Sequence, residues 1–328
     1  MREISFDIMK GIGIIAMIIG HCPIPDVLKS FIFTWHMPLF FIIAGYFFHP
    51  TNIRKAFLKN IQSLIIPYFI TALLLLCCSF VYYLYGASNL EQLKNAFGAV
   101  IIGAGSKSLP NLSDFFIGAL WFLQALFWCR IVFNLIYLHV SGINRVILIL
   151  FFSFASTLTS SYIYIPTNLL QGLSALLFYE IGYQISTNAV LKNKTNIVIL
   201  ILTILSVFIS ISIGSMSMAR CFYSFYPINV LSAYLVFIIC FSVAEFFSKK
   251  ELPGSMQLSQ IGRLSLLILC VHNIDVNSGF YNYLNSGFFH FVGGINSLVL
   301  IIWRLSFAII MAYVLSHFKA IRLMFRLN

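Results

Sequence analysis

Apolar runs separated by short polar intervals fill the chain, and most runs approach the length of about twenty residues that a helix needs to cross a bilayer. On that measure ten segments are expected to span: 5–22, 31–48, 63–85, 119–137, 145–161, 167–185, 197–213, 227–247, 261–275 and 297–317. The pattern predicts an all-α integral membrane protein, a bundle of about ten transmembrane helices forming a single transmembrane domain over residues 1–328. The longest interval, 86–118, holds a moderately apolar stretch at 90–102 that fits an interfacial or re-entrant helix, broken afterwards by Gly103, Gly105 and Pro110. The first run is read as a retained helix. Asp7 and Lys10 interrupt its apolar region, and no small-residue cleavage site follows.

Composition agrees, with 60% hydrophobic and only 9% charged residues, 34 Phe and 16 Tyr. A soluble domain has no way to bury that much apolar surface. The net charge of +11 does not point to nucleic acid, because the basic residues are scattered between apolar runs rather than gathered on one face. They read as topology signals. With a cytoplasmic N-terminus, the inner loops and ends carry Arg2, Arg54, Lys55, Lys59, Arg145, Lys192, Lys194, Lys249, Lys250, Arg263, Lys319, Arg322 and Arg326. The outer loops carry Lys29, Lys94, Lys107 and Arg220. Such asymmetry follows the positive-inside rule and predicts both termini in the cytoplasm. Lys10, Arg130 and Arg304 remain inside spans.

Ionisable groups within a span are costly and are functional candidates by default. The first span carries three, at the spacing Asp7-x2-Lys10-x10-His21. Eleven residues at about 100° each return to within about 20° of the start, so Lys10 and His21 share one helix face about 16 Å apart. The plainer reading is an Asp7–Lys10 pair that snorkels to the inner interface, with an interfacial histidine at the other end. The seven cysteines show no C-x-x-C spacing, and Cys77, Cys78, Cys129, Cys240 and Cys270 lie inside predicted spans. Cys22 and Cys221 both fall near the outer face, which leaves a pairing open. His21 and His36 have no cysteine or carboxylate at ligand spacing, so no metal site is expected.

The stretch from Lys10–Gly11–Ile12–Gly13–Ile14 to Gly20–His21 is followed by Phe33–Thr34–Trp35–His36–Met37–Pro38–Leu39–Phe40–Phe41, ending in Gly45–Tyr46. Two later pieces are Gly118–Ala119–Leu120–Trp121–Phe122–Leu123 and Ile261–Gly262–Arg263–Leu264–Ser265–Leu266 running on to His272. In this order they resemble the membrane acyltransferase 3 family, over nearly the whole chain. Most of that family carries arginine before the ten-residue gap, where this chain has Lys10. The Lys-Gly-Ile-Gly-Ile form is most similar to the branch described as fucose 4-O-acetylase-like.

The resemblance implies a membrane O-acyltransferase, with acetyl-CoA as acyl-donor substrate rather than a permanently bound cofactor. The acceptor it implies is a hydroxyl of a cell-envelope glycan or lipid-linked sugar, and the location the cytoplasmic membrane of a bacterium. His21 is then the essential base toward the acceptor hydroxyl. His36 either relays protons for His21 or packs at a helix start kinked by Pro38. His272 either is held in one tautomer by Asp275 beside the acceptor or forms a plain interfacial pair with it. Lys10, tuned by Asp7, would contact the donor, with Arg130 and Arg304 as further donor-binding cations. The alternative for each arginine is a buried pair with Glu180 or a backbone carbonyl. Trp121 either stacks on a sugar ring or adenine, or anchors the interface. Arg54, Lys55 and Lys59 either recruit the 3′-phosphate of CoA or only fix topology, and His49, His139 and His317 read as ordinary interface residues. Partners implied are the lipid bilayer, the donor and the acceptor, with no nucleic acid, and a homo-oligomer is left open. Two other classes compete: a transporter or flippase of a lipid-linked glycan, and an inactive acyltransferase-like sensor subunit. Against the first, the chain shows no internal repeat and no matched pair of broken helices. Against the second stands the retention of both Lys10 and His21.

Overall fold

The computed structural model describes residues 3–86, 88–106, 116–188, 196–214, 216–277 and 297–327. Arg2, Lys107, Pro110, Lys192 and Lys194, which figure in the sequence reading, lie outside them. Among the described residues the structure is helical apart from isolated bridges at Ala104–Phe116 and Ser217–Phe222. The helices are α1 (Ile4–Gly20), α2 (Asp26–Tyr46), α3 (Ile53–Asn60), α4 (Ile66–Leu84), α5 (Leu90–Ile102), α6 (Trp121–His139) and α7 (Gly142–Thr159). They continue as α8 (Leu169–Ser174), α9 (Leu176–Asn188), α10 (Ile197–Ile213), α11 (Tyr226–Lys249), α12 (Ser255–Arg263), α13 (Ser265–Asn277), α14 (Ser297–Leu315) and α15 (Lys319–Phe325).

Six stretches of described helix are long and apolar enough to cross a membrane: Asp26–Tyr46, Ile53–Leu84, Gly118–His139, Gly142–Thr159, Tyr226–Lys249 and Ser297–Leu315. The other four expected segments are shorter or broken. α1 and α10 have 17 residues each. The run 167–185 divides into α8 and α9 at Ala175, after left-handed Thr167 and Asn168, and 261–275 divides at Leu264 between α12 and α13. Period alone does not reveal such breaks, because an interrupted apolar run keeps its hydropathy. The stretch 90–102 forms α5, opened by an Asn89–Gln92 capping box and closed by left-handed Gly103.

Apolar side chains of α7 and α10, such as Ile143, Phe151, Ile201, Ile204 and Phe208, point away from the protein. Lipid is the solvent that suits them. Between helices, where lipid tails are as apolar as leucine, close approach comes from small residues. A Cβ on Gly262 would sit 1.7 Å from the Asp7 carbonyl oxygen, and one on Gly11 2.3 Å from that of Leu258. α1 and α12 therefore touch backbone to backbone. Gly45 and Gly182 make the same kind of crossing between α2 and α9, against the carbonyls of Tyr179 and Ile42. A buried Arg145–Glu180 pair at 3.1 Å ties α7 to α9.

Candidate active site

His21 follows the last turn of α1 as its C-cap residue. Its Nδ1 lies 2.8 Å from the Met17 carbonyl oxygen. A carbonyl only accepts, so Nδ1 carries the proton and donates, and Nε2 keeps its lone pair. The His21 main chain is fixed from the other side: Arg304 Nη1 on α14 donates to the His21 carbonyl at 2.7 Å. Asp275 of α13 lies 3.8 Å from Arg304 Nε and neutralises it. The residue is therefore held both by its ring and by its carbonyl.

The His21 ring opens onto a cavity of about 180 Å³ that is also lined by His36, Trp121, His272 and Asn273. His36 is fully buried and donates from Nδ1 to the Ile32 carbonyl at 2.8 Å, which leaves its Nε2 as an acceptor too. α2 begins at Asp26, so His36 lies in the middle of the helix rather than at a kinked start. His272 is 1% exposed and, among the described residues, neither ring nitrogen has a hydrogen-bond partner. Its ring centroid lies 5.6 Å from that of His21. Asp275 turns to Arg304 instead, which corrects the expectation that this carboxylate holds or pairs with His272. Trp121 reaches the cavity because the chain turns sharply just before α6. Gly118 has φ +73, and a Cβ there would come 2.5 Å from both Asn273 Oδ1 and Asn277 Nδ2. Only glycine serves at that position.

Toward the other end of α1 lies a larger cavity of about 570 Å³, lined by Lys10, Lys59, Arg130, Arg263 and Arg326, with His49 and Asn60. Among the described residues no acidic side chain lines it. Lys10 pairs with buried Asp7 at 3.3 Å yet remains 28% exposed, enough to meet a ligand. Arg130 donates to Asn60 Oδ1 at 3.2 Å where α3 passes into a π-helical turn, Ile61–Ile65. Asn134 and Thr51 bond reciprocally, at 2.8 and 3.1 Å, and close the loop beside them. A third cavity, of about 620 Å³, shares Lys10, Arg263 and Arg326 and adds Arg322 and His317, with the carboxylates of Glu3 and Asp7 also in its wall. Together these spaces form a vestibule in which cations outnumber carboxylates, a setting that suits an anionic group.

A family model for an acyltransferase domain matches residues 3–318. The chain belongs to the membrane acyltransferase 3 family. No curated protein and no solved structure matches it. The acyltransferase is thus a multi-pass membrane transferase whose polar residues separate into two groups. His21, His36, His272 and Trp121 line one cavity, and Lys10 and Arg130 line another. Arg304 lies with the first group, against the His21 carbonyl, rather than with Lys10. Glu180 is occupied by Arg145 and Gln184, not by Arg130 or Arg304. Cys22 and Cys221 are both free thiols: Cys22 lies against Arg304 and Cys221 against the carbonyls of Ser156 and Leu170. Among the described residues no group of three His, Cys, Asp or Glu side chains is placed to hold a metal ion.

Sequence reasoning gave Arg326 only as a topology signal and Arg263 as a topology signal within a family motif, assigning neither to a site, and both are cavity walls. The signal was present in Gly262–Arg263. The glycine lets α12 touch α1 at Asp7, and that contact sets the next residue in the same cavity as Lys10. His49 and His317, read as interface residues, also line the basic cavities.

Proposed function

We propose that the protein is an O-acetyltransferase of the bacterial cytoplasmic membrane, with ten spans and both termini inside. It takes acetyl-CoA from the cytoplasmic, Lys10 end and acetylates a hydroxyl of a cell-envelope glycan or lipid-linked sugar at the His21 end. The observation that carries this reading is the His21 geometry. An imidazole with Nδ1–H committed to Met17 presents Nε2 at a cavity next to one whose charged lining, among the described residues, is basic. In direct transfer, the acceptor hydroxyl oxygen attacks the acyl carbon while Nε2 takes its proton. The tetrahedral intermediate then expels the CoA thiolate, which recovers that proton from the imidazolium, giving ester and CoA thiol. Acceptor contacts fall to Trp121 and His272, and the donor phosphates to Lys10, Arg130, Arg263 and Arg326. Lys59 faces the same vestibule, whereas Arg54 and Lys55 are exposed on α3.

Purified protein is incubated with radiolabelled acetyl-CoA, with and without total envelope glycan. Label transferred only when glycan is present supports the enzyme. CoA binding without turnover would instead indicate a sensor, and neither binding nor turnover would remove the donor assignment.

A further inference from the structure

Met17, Met37 and Leu269 are the side chains that line both the His21 cavity and the Lys10 cavity. Each belongs to a helix whose one face serves both spaces. On α1 the order is Lys10, Ile14, Met17, His21, at helical spacing along a single stripe. On α2, Met37 sits between His36 and Phe40, and on α13, Leu269 sits between Leu266 and His272. Three apolar, buried side chains therefore form the wall that the two cavities share.

We propose that Met17, Met37 and Leu269 form a selective passage that admits the acyl-bearing arm of the donor to His21 and holds back the nucleotide. This rests on the acetyl-CoA reading above. A cavity of about 180 Å³ is too small for a nucleotide together with a sugar hydroxyl, since pockets for drug-sized ligands run from roughly 300 to 1,000 Å³. The nucleotide therefore stays in the basic vestibule, and the thioester has to cross the wall. Apolar side chains repel phosphates, which lose their hydration on entering. The thioester end of the pantetheine arm is a linear run of methylenes and amides and carries no charge; the branched gem-dimethyl carbon lies nearer the pyrophosphate. Methionine, with three rotatable bonds and no branch, moves aside at little cost and closes again behind the acyl group. The wall thereby sets the cross-section of what reaches the base.

The test fills the passage and measures two steps separately in the full-length protein. Met37→Trp is expected to lower acetyl transfer about 10²-fold, as misplacing a reacting group does, while CoA affinity in the vestibule is unchanged. Met37→Leu, which conserves volume, is expected to transfer at close to the wild-type rate. Independently, Met37→Cys is treated with CoA activated as its 2-pyridyl disulfide. The introduced thiolate attacks the CoA sulfur and expels pyridine-2-thione, which retains CoA as a mixed disulfide, read as a CoA-sized mass increase above the wild-type level. The passage is overturned if Met37→Trp binds CoA and transfers normally, or if Met37→Cys gains no adduct above wild type. It is also overturned if Met37→Leu and Met37→Trp lose affinity and transfer together, the mark of a purely structural residue. A wild type that neither binds CoA nor transfers acetyl would remove the acetyl-CoA reading itself, and the passage with it.

Discussion

The His21 cavity and the Lys10 cavity share walls from α1, α2 and α13, yet one is small and lined by neutral imidazoles and amides, and the other is large and lined by cations. Burial explains the division. A neutral histidine costs less to bury than a cation does: His36 and His272 are buried, His21 at the end of α1 is exposed, and the rings of His21 and His36 each bond the carbonyl four residues earlier. A cation needs an opposite charge, water or a ligand. Arg304 is the cation beside His21, and it is neutralised by Asp275 and spent on a backbone carbonyl. In the Lys10 cavity the cations outnumber the acids that line it. On the proposed function, the chemistry is thereby kept apart from the charge that recruits the donor.

The division is broken most severely at His21. His21→Ala is expected to lower acetyl transfer by about 10²–10⁴-fold, the usual loss of a general base, with CoA affinity unchanged in an equilibrium binding assay. A variant that keeps more than about a tenth of the wild-type rate is incompatible with His21 as base. Arg304→Lys is expected to cost less, because the charge remains and only the reach to the His21 carbonyl changes. A fall of about tenfold in kcat with KM unchanged identifies a positioning residue; a rise in KM with kcat unchanged would return Arg304 to substrate binding.

Mutations at the other cavity are expected to show the reverse pattern. Lys10→Ala is expected to weaken CoA binding about tenfold or more, from the loss of a charge-assisted hydrogen bond of about 1.5–3 kcal/mol, and Lys10→Arg to retain most of it. The double change Asp7→Asn with Lys10→Gln separates the roles. If affinity stays near wild type in the double variant, Lys10 serves only to neutralise Asp7. The smallest effect is a labelling one: in sealed cells, Asn89→Cys is expected to react with an impermeant thiol reagent and Glu251→Cys not to. The reverse pattern would invert the assignment of the two cavities to membrane faces.

Much of this arrangement was legible in the sequence because it depends on local spacing. The Lys10–His21 stripe follows from helical period alone, and α1 is continuous to Gly20, with His21 as its C-cap. The α5 helix was legible from the same kind of signal, an apolar stretch closed by glycine. Features set by contacts between distant segments were not. The Arg304–His21 bond joins residues 283 positions apart. The same holds for Arg263, whose place depends on the glycine crossing of α1 and α12, and for Asp275, whose nearest histidine in sequence is not its partner. The breaks at Ala175 and Leu264 escaped because hydropathy records apolar content and not helix continuity.

The central claim is that the donor is anchored in the basic cavity and reacts across the Met17–Met37–Leu269 wall at His21. An experimental structure of the protein with bound CoA tests it most directly. The account predicts the phosphates among Lys10, Arg130, Arg263 and Arg326, with the arm passing Met17 and Met37 so that the thiol points at His21. Phosphates lying on the His21 side of that wall, or an arm directed away from it, would contradict the account.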